Sequence, residues 1–157
     1  MAAFQHICEV MQLPSWITPA PKGFGTAEHG KLGADQWNTV CTVVLPVALV
    51  LAWGRSDERR RQMLDNFMDL VSSIVLAGLL QTSDQNIDLF KDYMLRYLIT
   101  LKALYPETTI KPNHHYALHL PDFMKMFAPV HSWRLFAFER FNYMLQTLNT
   151  NLTFGEV

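Results

Sequence analysis

A chain of 157 residues has single-domain length and can withdraw roughly two-thirds of its unfolded surface from water. Half of the residues are hydrophobic and 17% are charged, which excludes a disordered chain, and a formal net charge of −1 excludes a general attractive field for nucleic acid. Cys8 and Cys41 form neither a metal-spaced pair nor a disulfide framework, so a reducing compartment is expected, intracellular and either nuclear or cytoplasmic.

Residues 1–33 read as a short helix (3–12) followed by an extended loop punctuated by Pro14, Pro19, Pro21, Gly23, Gly25, Gly30 and Gly33. The first twelve residues lack a basic cluster and Glu9 interrupts their apolar run, so they do not read as a secretory signal. Residues 34–157 read as a helical domain. Its first helix should span about Ala34 to Trp53, kinked near Pro46, whose ring crowds the carbonyl of Thr42, and ended by Gly54. Gln36 to Gly54 carries no charge, and Trp37 and Trp53 bracket it as membrane-interface aromatics would. Gln36, Asn38, Thr39 and Thr42 dilute its first half, so a central core helix is expected in preference to a membrane span.

Ser56 is expected to cap the next helix, with Asp57 and Glu58 in the first turn. Met63, Leu64, Phe67, Met68, Val71, Ile74, Val75 and Leu79 recur at steps of three and four, an amphipathic stripe. Thr82 and Ser83 open a further helix, in which Ile87, Phe90, Met94, Tyr97, Leu98, Leu101, Leu104 and Tyr105 repeat the pattern until Pro106. Pro112-Asn113 should start a short helix broken or kinked at Pro121. Ala128-Pro129 then separates it from a last helix, about Ser132 to Leu148, with Ser132 as cap. No stretch alternates with period two, so the fold class is all-α: an irregular bundle of four to six helices behind a Pro/Gly-rich loop.

Three groups of residues bear on chemistry. His115 and His119 lie four apart, a spacing that puts both rings on one helical face and that zinc uses in helical pairs. His114 points elsewhere, and Asp122 follows three residues after His119 as an oxygen ligand in reserve; ordinary hydrogen-bonded histidines are the competing reading. Glu139 is the one acid between Asp122 and Glu156, set among Trp133, Phe136, Phe138, Phe141 and Tyr143. If buried it must pair with a cation, meet a metal or hold its proton, and His131, His119 or an arginine could partner it. Arg55, Arg59, Arg60 and Arg61 spread around a helix start rather than along one stripe, with Asp57–Arg61 and Arg61–Asp65 at pairing distance. A solvated, self-neutralised helix start is therefore favoured over a phosphate-backbone patch.

Motifs along the chain resemble known proteins. Leu13-Pro14-Ser15-Trp16, Gly23-Phe24-Gly25-Thr26-Ala27-Glu28-His29-Gly30-Lys31-Leu32 and Ala34-Asp35-Gln36-Trp37 look like a region of transposase-like proteins of mushrooms. Pro112-Asn113-His114-His115, Leu118-His119-Leu120, Ala128-Pro129-Val130-His131-Ser132-Trp133 and Phe138-Glu139-Arg140-Phe141-Asn142 resemble the C-terminal helical module of CACTA-type transposases. There a histidine-bearing helix is followed by a Gly-Pro-Val-His turn and an aromatic-Glu-Arg helix. This chain carries Ala128 where that family usually has glycine.

The resemblance implies a fragment or domesticated descendant of a cut-and-paste DNA transposase, an enzyme whose acids hold two divalent metals on a ribonuclease-H-like fold. It nominates Glu139 as the late-helix acid, with His131, Trp133 and Arg140 as accompanying motif residues. No strands are expected to supply the sheet and the other acids, so the chain alone is expected not to cut DNA. The expected function is a transposase-derived helical module, not catalytic alone, that binds DNA or a partner chain such as the remaining transposase domains, or self-associates. The alternatives are a small helical metalloprotein or enzyme using His115, His119 and Glu139 with Mg, Mn or Zn, and an interaction or membrane-associated protein using the Trp37–Trp53 helix.

Overall fold

The computed structural model describes residues 6, 7, 10–17, 19, 32–133 and 144. Among them the chain is helical throughout its regular structure, with no strand, as expected: α1 (Ala34–Trp53), α2 (Glu58–Ala77), α3 (Asp84–Leu104), α4 (Pro112–Ala117), α5 (Leu120–Phe127) and α6 (Val130–Trp133). Of the expected helix over 3–12, residues 6, 7 and 10 are helical and 11 and 12 are not, while most of the loop over 13–33 and of the last helix beyond Trp133 lies outside the described residues.

The irregularity in α1 near Pro46 takes the form of a π-helical turn: the five residues Val40–Val44 wind wider than α-helical Ala34–Thr39 and Leu45–Trp53 on either side. The Leu45 amide reaches back to the carbonyl of Val40, and the wider turn meets a proline that has no amide to donate. Gly54 closes the helix: its amide donates to the Val50 carbonyl at 2.9 Å, and a Cβ there would come within 2.6 Å of that oxygen.

The burial of α1 corrects the expectation of an all-round core helix. Thr39, Val40, Val44 and Ala48 form one buried stripe, while Trp37, Val47, Val50 and Leu51 are exposed. Steps of about four residues keep one edge turned inward, where α1 contacts α2. Cys41 lies half-buried on the π turn, and desolvation holds its thiol above the ordinary range, consistent with a small packed side chain.

The cap of α2 is Asp57 rather than Ser56. The Asp57 carboxylate accepts from the Arg60 amide at 3.1 Å, and Ser56 turns back to donate to the Ala52 carbonyl at 3.2 Å. A carboxylate suits the helix start better than a hydroxyl because it also meets the positive end of the peptide dipoles. The expected Asp57–Arg61 and Arg61–Asp65 pairs are replaced by Asp57–Arg60 at 3.5 Å and Glu58–Arg61 at 2.8 Å, both solvent-exposed.

α2 and α3 form the longest packed pair. Leu64 and Val71 of α2 are buried, and Phe90, Met94 and Leu98 of α3 make a core cluster with Leu70, Leu76, Ala77, Tyr97, Ala117 and Leu120 around it. Ser83 caps α3 by accepting from the Asn86 amide at 3.2 Å. After Leu104 the chain turns under the Lys102 ammonium, which donates to the carbonyls of Pro106 and Thr108.

α4 and α5 each begin with a proline in the first turn, where a missing amide costs nothing. The break expected at Pro121 therefore lies before it, at Leu118–His119, and Pro121 itself is buried near the start of α5.

Two outcomes follow for stability. Ser83→Ala should cost about 1 kcal/mol in urea unfolding, since one amide at the start of α3 loses its acceptor. The Asp57 carboxyl lies below its ordinary value of 3.8, chiefly through the Arg60 amide, so its stabilisation is present above that value and is lost as pH falls through the lowered one. Asp57→Asn keeps a capping oxygen but does not titrate. Thermal midpoints measured from pH 7 down to about 3 should converge between variant and parent at the acid end.

Candidate functional site

The apolar periodicity of α2 conceals a second, polar row. Asn66, Asp69 and Ser73, at steps of three and four, are all buried, about half a turn from Leu64 and Val71. Each is satisfied. Asn66 Nδ2 donates to the Tyr97 carbonyl at 2.8 Å and to Thr100 Oγ1 at 2.5 Å, and Ser73 Oγ donates to the Asp69 carbonyl at 2.9 Å. Asp69 accepts two parallel bonds from Arg96, Nε to Oδ2 at 2.7 Å and Nη2 to Oδ1.

The two partners differ in setting. The Asp69 side chain keeps only 11% of its exposure whereas Arg96 keeps 56%. The Asp69 hydrogen bond raises the Arg96 guanidinium further above its already high ordinary value. Arg96 also lies over the Tyr93 ring, 4.9 Å from its centroid.

Asn66 and Asp69 of this row line an open groove of about 560 Å³ between α2 and α3. Gln62, Asp65, Asp69 and Ser72 line one wall and Tyr93, Arg96, Thr100 and Leu104 the other. On α2 the lining runs from Gln62 to Ser72, roughly 15 Å of helix. The groove offers a guanidinium face, a phenol, hydroxyls and an apolar floor at Met68, Ala103 and Leu104. Polar side chains spaced for helical seams were the signal in the sequence: Asn66-x-x-Asp69-x-x-x-Ser73 on one helix and Arg96-x-x-x-Thr100 on the next.

The histidines divide by role. His114 is structural: its Nδ1 accepts the Lys111 amide at 3.3 Å at the start of α4, and its ring meets the edge of Tyr97 at 6.2 Å. His115 and His119 come together although no single helix carries both. α4 ends at Ala117, a tight turn follows in which the His119 amide bonds the Tyr116 carbonyl at 3.1 Å, and the two Nε2 atoms face each other at 3.2 Å. Both rings are exposed. Asp122 does not join them: among the described residues no group of three or more His, Cys, Asp or Glu is placed to hold a metal.

The turn after α5 brings the remaining described motif residues into view. Trp133 Nε1 donates to the Ala128 carbonyl at 3.2 Å and its ring packs against Phe123 with centroids 6.2 Å apart. The Ser132 hydroxyl donates to the Pro129 carbonyl at 2.6 Å, and the amides it is expected to cap lie outside the described residues. His131 is exposed. Ala128 holds φ 66° and ψ −160°, a backbone region that is almost glycine-only because a Cβ crowds the carbonyls. Glu139 and Arg140 lie outside the described residues.

Comparison of the chain with protein-family models, with curated proteins and with solved structures gives no match.

Arg96→Ala should cost roughly 1–3 kcal/mol, less than breaking a fully buried pair, because water can reach Asp69 where the half-exposed guanidinium stood. Arg96→Lys should recover part of that loss, since an ammonium keeps the charge but not two parallel bonds. Ala128→Gly should raise stability by about 1 kcal/mol by relieving the turn. Urea melts of the three variants measure all of these.

Proposed function

We propose that this chain is a transposase-derived helical module that does not cut DNA by itself and works by binding a partner chain along the α2–α3 groove. The observation that carries the binding role is the groove itself, with its buried, hydrogen-bonded polar row and half-exposed Arg96. Two packed antiparallel helices leave a furrow that a third helix fills in ordinary bundles, and about 15 Å of wall suits roughly three helical turns. Arg96 presents its remaining donors to an incoming carboxylate or carbonyl, and Asp69 fixes the plane in which they point.

The descent from a transposase is supported by the motif residues and by the turn at Ala128. The resembling family usually places glycine there, and the backbone of this chain takes a conformation suited to glycine. A partner chain is favoured over DNA by charge. The net charge is −1, and two of the four arginines near the start of α2 are paired with Asp57 and Glu58. A ribonuclease-H-like sheet would have to come from elsewhere, since the described residues form no strand.

The test is co-expression with the catalytic portion of a CACTA-type transposase, followed by gel filtration. A stable complex is expected, weakened at least about tenfold, or 1.4 kcal/mol, by Arg96→Lys with helix content unchanged. Tight duplex-DNA binding by the chain alone, falling steeply between low and moderate salt, would replace the partner-chain reading with a DNA-binding one.

A further inference from the structure

We infer that His115 and His119 form a chelating site for a borderline divalent transition-metal ion (copper, nickel or zinc), independent of the α2–α3 groove. The distance sets the argument. Two imidazole nitrogens 3.2 Å apart, each about 2.1 Å from a common ion, subtend an angle of about 100° at it. That lies between the right angle of square-planar or octahedral neighbours and the tetrahedral angle, so these metals accept it with little adjustment. Wider pairs would need the backbone to move; this one does not.

The chain holds the pair together by two separate devices. Pro112 and the Lys111–His114 bond start α4, and buried Pro121 starts α5, so the turn carrying His119 is fixed at both ends. Core contacts of Ala117 and Leu120 with the Phe90, Met94 and Leu98 cluster seat that turn on α3. The rings themselves are exposed, and each can rotate about its Cβ–Cγ bond to aim its lone pair at an ion.

Without metal, one Nε2–H donates to the other Nε2. Metal binding ends that hydrogen bond: the donor ring carries its proton on Nδ1 instead, both Nε2 lone pairs face the ion, and no proton need be lost. Two protein ligands leave the remaining coordination positions to water. Magnesium and manganese are disfavoured because they prefer oxygen donors and bind nitrogen weakly, and among the described residues no carboxylate completes the pair.

The experiment is calorimetric titration of the full chain with nickel, copper, zinc and magnesium chlorides. One equivalent of nickel, copper or zinc should bind and magnesium should not. His115→Gln and His119→Gln should each weaken binding by more than the roughly 10–100-fold typical of losing an outer-shell partner, while His131→Gln and His6→Gln leave it within about twofold. In the unaltered chain, substoichiometric copper should broaden the ring resonances of His115 and His119 before any other histidine, a reading that needs no variant. Equal affinity in the double variant, or first broadening at His6, His29 or His131, would overturn the assignment.

Discussion

A carboxylate that has lost most of its contact with water must be given a cation, and in this chain that requirement ties the two longest helices together. Asp69 on α2 finds Arg96 on α3, and two parallel bonds fix both the distance between the helices and their rotation. Apolar packing alone tolerates sliding, since one leucine is much like another. The polar row of Asn66, Asp69 and Ser73 does not, because each buried donor or acceptor has one satisfied arrangement. The groove above that row exists because the row is set, and its Arg96 wall stays partly in water because nothing described covers it.

The same constraint reaches the histidine turn through Tyr97. Its carbonyl accepts from Asn66 in the polar seam, and its ring, half-buried and with its phenol raised by desolvation, meets the edge of His114 at the start of α4. The core cluster beneath α3 then receives Ala117 and Leu120 on either side of the turn. One helix thus carries the wall of the groove on one side and the seat of the histidine pair on the other. The two sites use different chemistry. The groove presents a fixed guanidinium beside apolar floor, suited to a polypeptide, and the histidines present two nitrogens at a chelating separation, suited to an ion.

Proline is used in two ways that illuminate why some expectations held and others moved. At Pro112 and Pro121 the missing amide falls where helices have spare amides, so proline begins a helix. At Pro46 it falls inside one, and the chain widens to a π turn over Val40–Val44 just before it. Ala128 is the opposite case: the required conformation belongs to glycine, yet a methyl group is carried there, and the turn is held by Trp133 and Ser132 bonds to its carbonyls.

Much of the fold was legible in the residues alone. Steps of three and four among Leu64, Val71, Ile87, Phe90, Met94 and Leu98 report which face of each helix avoids water, and that preference belongs to the side chains themselves. Ser83, Gly54 and Pro106 end or begin helices for reasons confined to one turn of backbone. What lay beyond the sequence depends on partners far along the chain. The burial of Asp69 makes sense only once α3 supplies Arg96, 27 residues away, and α1 reads as a core helix until packing covers only one of its edges. His115 and His119 show the division most plainly. Their spacing set them near each other, but the 3.2 Å between their nitrogens comes from a broken helix seated on α3, and a local periodicity cannot encode a distance that tertiary contacts impose.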